Sequence, residues 1–227
     1  MDYTNCKYEY GISHLGEVIC WDGNVVYITG EGVEEMSNLK VVLFVSRNKD
    51  NKKLEGFKER RVSFLTDKTV EELQDDFEDF VRRGSHRGEV SRFYISVNSR
   101  DEDKIRKGLI HYLVDHEDLN MAQLERRVAS IASLKENAKE KKWLFDFDEE
   151  NHLINDFVQD VRGNLPSSVE VIPHQTPNGY AVVVGRGFDT RKLLSKWKNV
   201  ELKRDDMLCV DWRTKHLLDS YLDKNEE

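Results

Sequence analysis

From Trp143 to Trp212 the chain alternates strand and helix patterns without a break, and this order narrows its possible folds more than any other feature. "WLFDFD" is strand-like: in extended backbone successive side chains point to opposite faces. Trp143, Phe145 and Phe147 then share one face, and Leu144, Asp146 and Asp148 share the other. "EENHLINDFVQDV" places Leu153, Ile154, Phe157, Val158 and Val161 on one helical stripe that ends near Gly163. "VEVIP" and "YAVVV" are strands around the turn "HQTPNG", "FDTRKLLSKW" is a helix capped at Asp189 or Thr190, and "VELKR" and "MLCVDW" are strands. The order is βαββαβ with one additional strand. It predicts an α/β (α+β) protein with a ferredoxin-like or RRM-like arrangement, an antiparallel sheet carrying both helices on one face. The aromatic face of the first strand would meet those helices, leaving the face with Asp146 and Asp148 open.

The residues before Lys141 read as a second α/β module, giving expected modules of 1–140 and 141–227. No low-complexity linker divides them and no proline precedes Pro166, so the two should be tightly associated. "GEVICWDGNVVYITGEG" carries a hairpin signal at Asp22-Gly23-Asn24, "LKVVLFVSR" reads as a buried strand, and "NKDNKKLEGFKERR" reads as an exposed loop. Val70, Leu73, Phe77 and Phe80 or Val81 recur at helical spacing in a segment that opens on a Thr or Asp cap and stops at Gly84. "RFYISVNSR" is a strand; a cap-like Ser99 precedes a helix with Ile105, Leu109, Tyr112 and Leu113 on one face, and another helix follows through Leu124, Val128 and Ile131.

A formal charge of −8 argues against a protein that coats nucleic acid or a membrane surface, so any nucleic-acid contact must be focused. Cys6, Cys20 and Cys209 are odd in number and show no CxxC spacing, which points to a reducing cytoplasm rather than a disulfide framework or structural zinc. "MDYTNCKYEY" lacks a basic region followed by an apolar one, and no run reaches the roughly 18 apolar residues of a membrane span, so neither secretion nor membrane insertion is expected.

Two carboxylates on one face of a strand suit Mg²⁺ or Mn²⁺, hard ions that prefer oxygen ligands and can clamp a phosphate. Asp211, after the apolar run "MLCV", has the character of a third such acid. Alternatively, Asp146 and Asp148 are strand-end acids capping the following helix, whose first turn carries Glu149 and Glu150. The turn from Thr176 through Asn178 to Gly179 could offer backbone amides to a phosphate, with His174 beside it, or could be a plain hairpin turn.

Together, "WLFDFD", "TPNGYAVVV" and "MLCVDW" resemble the three signature segments of the archaeo-eukaryotic primase superfamily over roughly residues 141 to 212. That resemblance implies a palm fold, Asp146, Asp148 and Asp211 as catalytic metal ligands, and the turn at Thr176 to Gly179 beside the nucleotide's phosphates. The sequence departs from the family at Tyr180-Ala181-Val182, where a phosphate-contacting His is expected after the glycine turn. The retained acids point to a primase-polymerase-like, metal-dependent nucleotidyltransferase. The missing His points to a catalytically inactive palm-fold binding or inhibitor protein acting through a protein partner. A metal-dependent nuclease would use the same acids, and a phage origin would place any of these in the host cytoplasm.

Cations could supply the phosphate contacts. Arg83, Arg87 and Arg92, interleaved with Phe93 and Tyr94, could follow a nucleic-acid backbone, or could be a solvated helix end. Arg191 and Lys192 flank a helix start that could hold a phosphate, or a plain solvated cap. "KKLEG" at Lys52 to Gly56 is similar to the lysine motif of nucleic-acid ligases but has no companion motifs.

Overall fold

The computed structural model describes residues 38–116, 118 and 120–216, with the backbone of three short strands before them. Residues 1–37 and 38–227 form separate compact units. In the first unit β1 (Gly11–Ile12), β2 (Glu17–Ile19) and β3 (Val25–Tyr27) form an antiparallel sheet in that order. The β2–β3 pairing is the expected hairpin, while its turn at Asp22-Gly23-Asn24 lies outside the described residues, as do Cys6 and Cys20.

The second unit is mixed α+β. It runs β4 (Lys40–Ser46), β5 (Arg60–Thr66), α1 (Gln74–Arg82), β6 (Val90–Ser96), α2 (Glu102–Asp115), α3 (Leu124–Ala132), β7 (Trp143–Phe147), α4 (Ile154–Arg162), β8 (Val171–Thr176), β9 (Gly179–Val184), α5 (Arg191–Lys196), β10 (Val200–Lys203) and β11 (Met207–Thr214). The strands form two antiparallel four-stranded sheets, ordered β11-β6-β4-β5 and β10-β7-β9-β8.

In the first sheet, Val42, Phe44 and Phe93 face α1 and meet Leu73, Phe77, Phe80 and Val81. Their three- and four-residue spacing gives α1 its buried stripe. The helical segment opens on a reciprocal cap: Glu72 N donates to Thr69 Oγ1 at 3.3 Å and Thr69 N donates to a Glu72 carboxylate oxygen at 2.8 Å. The opposite face of β4 carries Val41, Leu43 and Val45. At the Val41 end it is covered by Ile105 of α2 and by Ala129, Ile131 and Ala132 of α3. The cap of α2 is Asp101 rather than Ser99, its carboxylate accepting from Lys104 N at 3.1 Å. Ser99 instead donates its backbone N–H to Glu140.

In the second sheet, Phe145, Phe147, Val182 and Val184 pack on Ile154, Phe157, Val158, Val161, Leu193 and Trp197. This is the aromatic face predicted from the phase of "WLFDFD". Truncating Phe157, which is fully buried between Phe145, Phe147 and Trp197, should cost about 3–5 kcal/mol. Pro173 is tolerated because β8 is an edge strand, where one row of backbone groups has no ladder partner.

The additional strand expected after the βαββαβ series does not join that sheet. β11 pairs with β6 at the edge of the first sheet. Between β10 and β11, Asp205 takes two hydrogen bonds from buried Arg100, at 2.9 and 3.1 Å, and one from Asn98 at 3.0 Å. These charge-assisted contacts hold the crossing point to the first sheet. Val97 and Leu208 then pack against Leu144 and Ala181, so the helix-free face of the second sheet lies partly against the first.

Candidate functional site in a cleft between the sheets

Beyond that contact the sheets part into a cleft of about 370 Å³. The second sheet and the chain after it contribute Asp146, Asp148, Thr176, Asn178, Lys203 and Asp206. The first sheet and the loop after β4 contribute Arg47, Lys49, Glu59, Arg61, Arg92 and Tyr94. One wall is rich in acids and the other in cations.

The acidic wall follows from register. Asp146 stands opposite Glu201 on β10, and like charges facing across antiparallel strands need compensation. Lys203, two residues further along β10 and on the same face, supplies it: its Nζ donates to Asp146 Oδ2 at 2.9 Å and lies 3.6 Å from Asp206 Oδ2. Burial acts to lower the Lys203 pKa, but the hydrogen bond and charge of Asp146, with Asp206 and Glu201, outweigh it and raise the value above 10.5. An ammonium thus holds a position between two carboxylates, with Asp148 exposed on the same wall.

The helix-capping reading of these acids is not what the structure adopts. Neither the short turn at Asn151–Leu153 nor α4 has a side-chain cap, and Glu149 binds Asn199 at 3.0 and 3.1 Å. Carboxylate oxygens are the donor type that Mg²⁺ or Mn²⁺ prefers, and here those of Asp146 and Asp206 face the Lys203 ammonium.

Asp211 is not part of this wall. Met207 and Cys209 line the cleft, but the pairing shifts between Cys209 and Asp211, placing Asp211 opposite Phe93. Phe93 lies in the core beneath α1, so Asp211 belongs to that face. Its carboxylate accepts from Trp212 N and from Arg213 Nε, and Arg213 reaches Glu78 and Gln74 on α1. Among the described residues, no three His, Cys, Asp or Glu side chains form a metal-holding group.

Thr176 and Asn178 do line the cleft, and Gly179 sets the approach of their turn. A Cβ at Gly179 would meet Phe147 O at 2.7 Å, so a side chain there would push the hairpin off β7. His174 lies on the same sheet face but in a separate cavity of about 170 Å³, with Lys40, Glu170 and Ile172. Burial lowers its pKa below 6.5.

Arg191 and Lys192 are exposed and outside the cleft. Arg191 is bound to Asp189 at 2.6 Å, and its hydrogen bonds hold that carboxyl down at about 2. Arg83 and Arg87 are exposed and also outside it; Arg83 sits 3.9 Å from Asp79. Lys52, of the ligase-like "KKLEG", is exposed and does not line the cleft.

Arg92 is the cation of the expected cluster that the cleft uses. It is 7% exposed and donates to Asp50 Oδ1 at 2.6 Å. Arg47 clasps the same carboxylate at 2.9 and 3.2 Å. Burial pushes the Asp50 pKa up, and the bonds from Arg47 and Arg92 reverse this and hold it below 3.8. Next to them, burial raises the Cys209 thiol to about 11 and keeps it neutral.

Arg47 and Arg61 were readable but missed. Arg47 continues the alternation Leu43, Val45, and Arg61 stands opposite Val45. Arg47 closes the segment that reads as a buried strand, and Arg61 falls in one that reads as an exposed loop because its charge density masks the two-residue period. No family model, curated protein or solved structure matches the chain.

Proposed function

We propose that the chain is a primase-polymerase-like palm protein that binds a nucleotide or a nucleic-acid end in the inter-sheet cleft. The observation that carries this reading is that Asp146 and Asp148 share one cleft with the turn residues Thr176 and Asn178, on the sheet face free of helices. The strand order β10-β7-β9-β8 supports a ferredoxin-like palm, because the βαββαβ series of that fold places its last strand beside its first. In this reading Asp146 and Asp148 would hold Mg²⁺ or Mn²⁺ brought by the phosphates, with Lys203 giving up its bond to Asp146. Two metals so placed would activate an attacking hydroxyl and stabilise the leaving oxygen.

A second reading is supported by a specific observation, that Asp211 is turned to the α1 face and Lys203 is paired to Asp146: in it the fold would bind its ligand without turnover. A protein partner would then deliver the biological effect. Isothermal titration of Mn²⁺ with a nonhydrolysable nucleoside triphosphate decides whether the acidic wall is used. Saturable binding that weakens at least tenfold in Asp146→Asn/Asp148→Asn is the expected result. Wild-type protein that binds no nucleotide, or a double variant that binds equally well, overturns it. Primer-extension and nuclease assays on the binding-competent protein then separate turnover from binding alone.

A further inference from the structure

The cationic wall has its own chemistry. Arg92 is more than nine-tenths buried and lines the cleft, yet its Nε has no hydrogen-bond partner while its Nη2 is held by Asp50. A buried guanidinium donor left unpaired is destabilising, and at a cleft wall it calls for an explanation that an incoming acceptor would supply. Arg47, Lys49 and Arg61 line the same wall, and the carboxylates that answer these four cations are Asp50 and Glu59. Four positive charges against two negative leave an excess of two. Arginine forks match the oxygens of a phosphate, and Tyr94 adds a hydroxyl on the same face.

We infer that the Arg47–Arg92 wall, with Lys49 and Arg61, is a built site for the oxyanion of a phosphate-bearing ligand and binds it without a divalent cation. This deepens the nucleotide reading by placing the phosphates on the first sheet, opposite Asp146, rather than at Arg191 and Lys192. It does not depend on the acidic wall. Arg61 must exchange Glu59 for the ligand, an exposed pair that is easily traded.

The test is titration of sodium tripolyphosphate, and separately of ATP, into the full chain in EDTA at low salt. Tripolyphosphate should bind saturably, weaken steeply with added salt, and lose at least tenfold affinity in Lys49→Gln/Arg61→Gln. Both of those side chains are exposed, so the variant should fold. Arg92→Gln, checked for folding by circular dichroism, should lose still more. ATP binding more tightly than tripolyphosphate assigns the site to a nucleotide; equal affinity assigns it to a free polyphosphate.

No tripolyphosphate binding, or binding that the Lys49/Arg61 variant leaves unchanged, overturns the inference. Asp146→Asn/Asp148→Asn should bind tripolyphosphate in EDTA as wild type does. The two proposals therefore fail separately: metal-dependent binding that ignores the acid variants sinks the acidic-wall reading alone, and metal-free binding that ignores the basic variants sinks this one alone.

Discussion

Lys203→Met isolates the cation that the protein supplies to its own acidic wall. Methionine keeps most of the aliphatic stem and removes the charge. Lys203 Nζ lies 2.9 Å from Asp146 and 3.6 Å from Asp206. At such distances each pair is worth about 1 kcal/mol under water-like screening. The side chains of Lys203 and Asp146 are 29% and 35% exposed, which holds the total near about 1 to 2 kcal/mol after ordering costs. A divalent ion entering this position must first displace the ammonium, so removing it should strengthen Mn²⁺ binding about tenfold. Folding stability should fall by no more than about 2 kcal/mol, because partly exposed pairs contribute little to it. Mn²⁺ affinity, read by titration calorimetry beside urea denaturation of both proteins, is the assay. Affinity that is unchanged or weaker in Lys203→Met would refute the idea that Asp146 and Asp206 frame a cation position. A stability loss above about 3 kcal/mol would instead class the pair with buried, structural ion pairs.

Gly179→Ala should destabilise by about 1–3 kcal/mol in chemical denaturation, because its Cβ would meet Phe147 O at 2.7 Å; wild-type stability would refute the close approach. Glu89, 1% exposed and bonded by Arg60 at 2.6 and 2.9 Å, should lose about 2–4 kcal/mol as Glu89→Gln. Burial raises the Glu89 pKa, but the Arg60 bonds outweigh it and hold it below 4.5. A carboxyl lowered on folding stabilises above its unfolded pKa and loses that contribution as pH falls, so the wild-type advantage over Glu89→Gln should shrink below pH 4.5. In a Cys6→Ser/Cys20→Ser background, the buried Cys209 thiol should react with iodoacetamide at pH 8 far more slowly in native than in unfolded protein, consistent with its value near 11.

The second half of the fold was legible because its signals are local. The period of two in "WLFDFD" and the stripe from Ile154 to Val161 each specify one face, and both faces meet in a single core. Thr176 and Asn178 could be placed near Asp146 and Asp148 for the same reason: a hairpin turn follows its strands wherever they go. What could not be read was pairing at a distance. Arg100 and Asp205 are 105 residues apart, and their ion pair helps place β11 in the other sheet. No periodicity carries that information. The basic wall was hidden similarly, since Arg47, Arg61 and Arg92 converge only once β4, β5 and β6 are laid side by side. Arg191 and Lys192 looked like phosphate ligands because they flank a helix start, but Asp189, two residues before Arg191, already takes that guanidinium.

Which face of the first sheet Asp211 joins turns on one extra residue in β11. With unbroken antiparallel pairing, Val210 would stand opposite Phe93 and Asp211 opposite Arg92, which would put a carboxylate in the cleft beside the guanidinium. The bulge moves Asp211 one position back, to the α1 face, and leaves the cleft side of β11 to Met207 and Cys209. An acid opposite Arg92 would have reduced the excess positive charge of that wall while adding a further carboxylate to the cleft. Its removal has both opposite effects at once, preserving the excess positive charge around Arg92 and leaving Asp146 to pair with Lys203. A single backbone irregularity thus weakens the case for metal-driven transfer and strengthens the case for holding an anion. This coupling also orders the experiments: tripolyphosphate binding in EDTA should be detectable even if no condition yields nucleotidyl transfer.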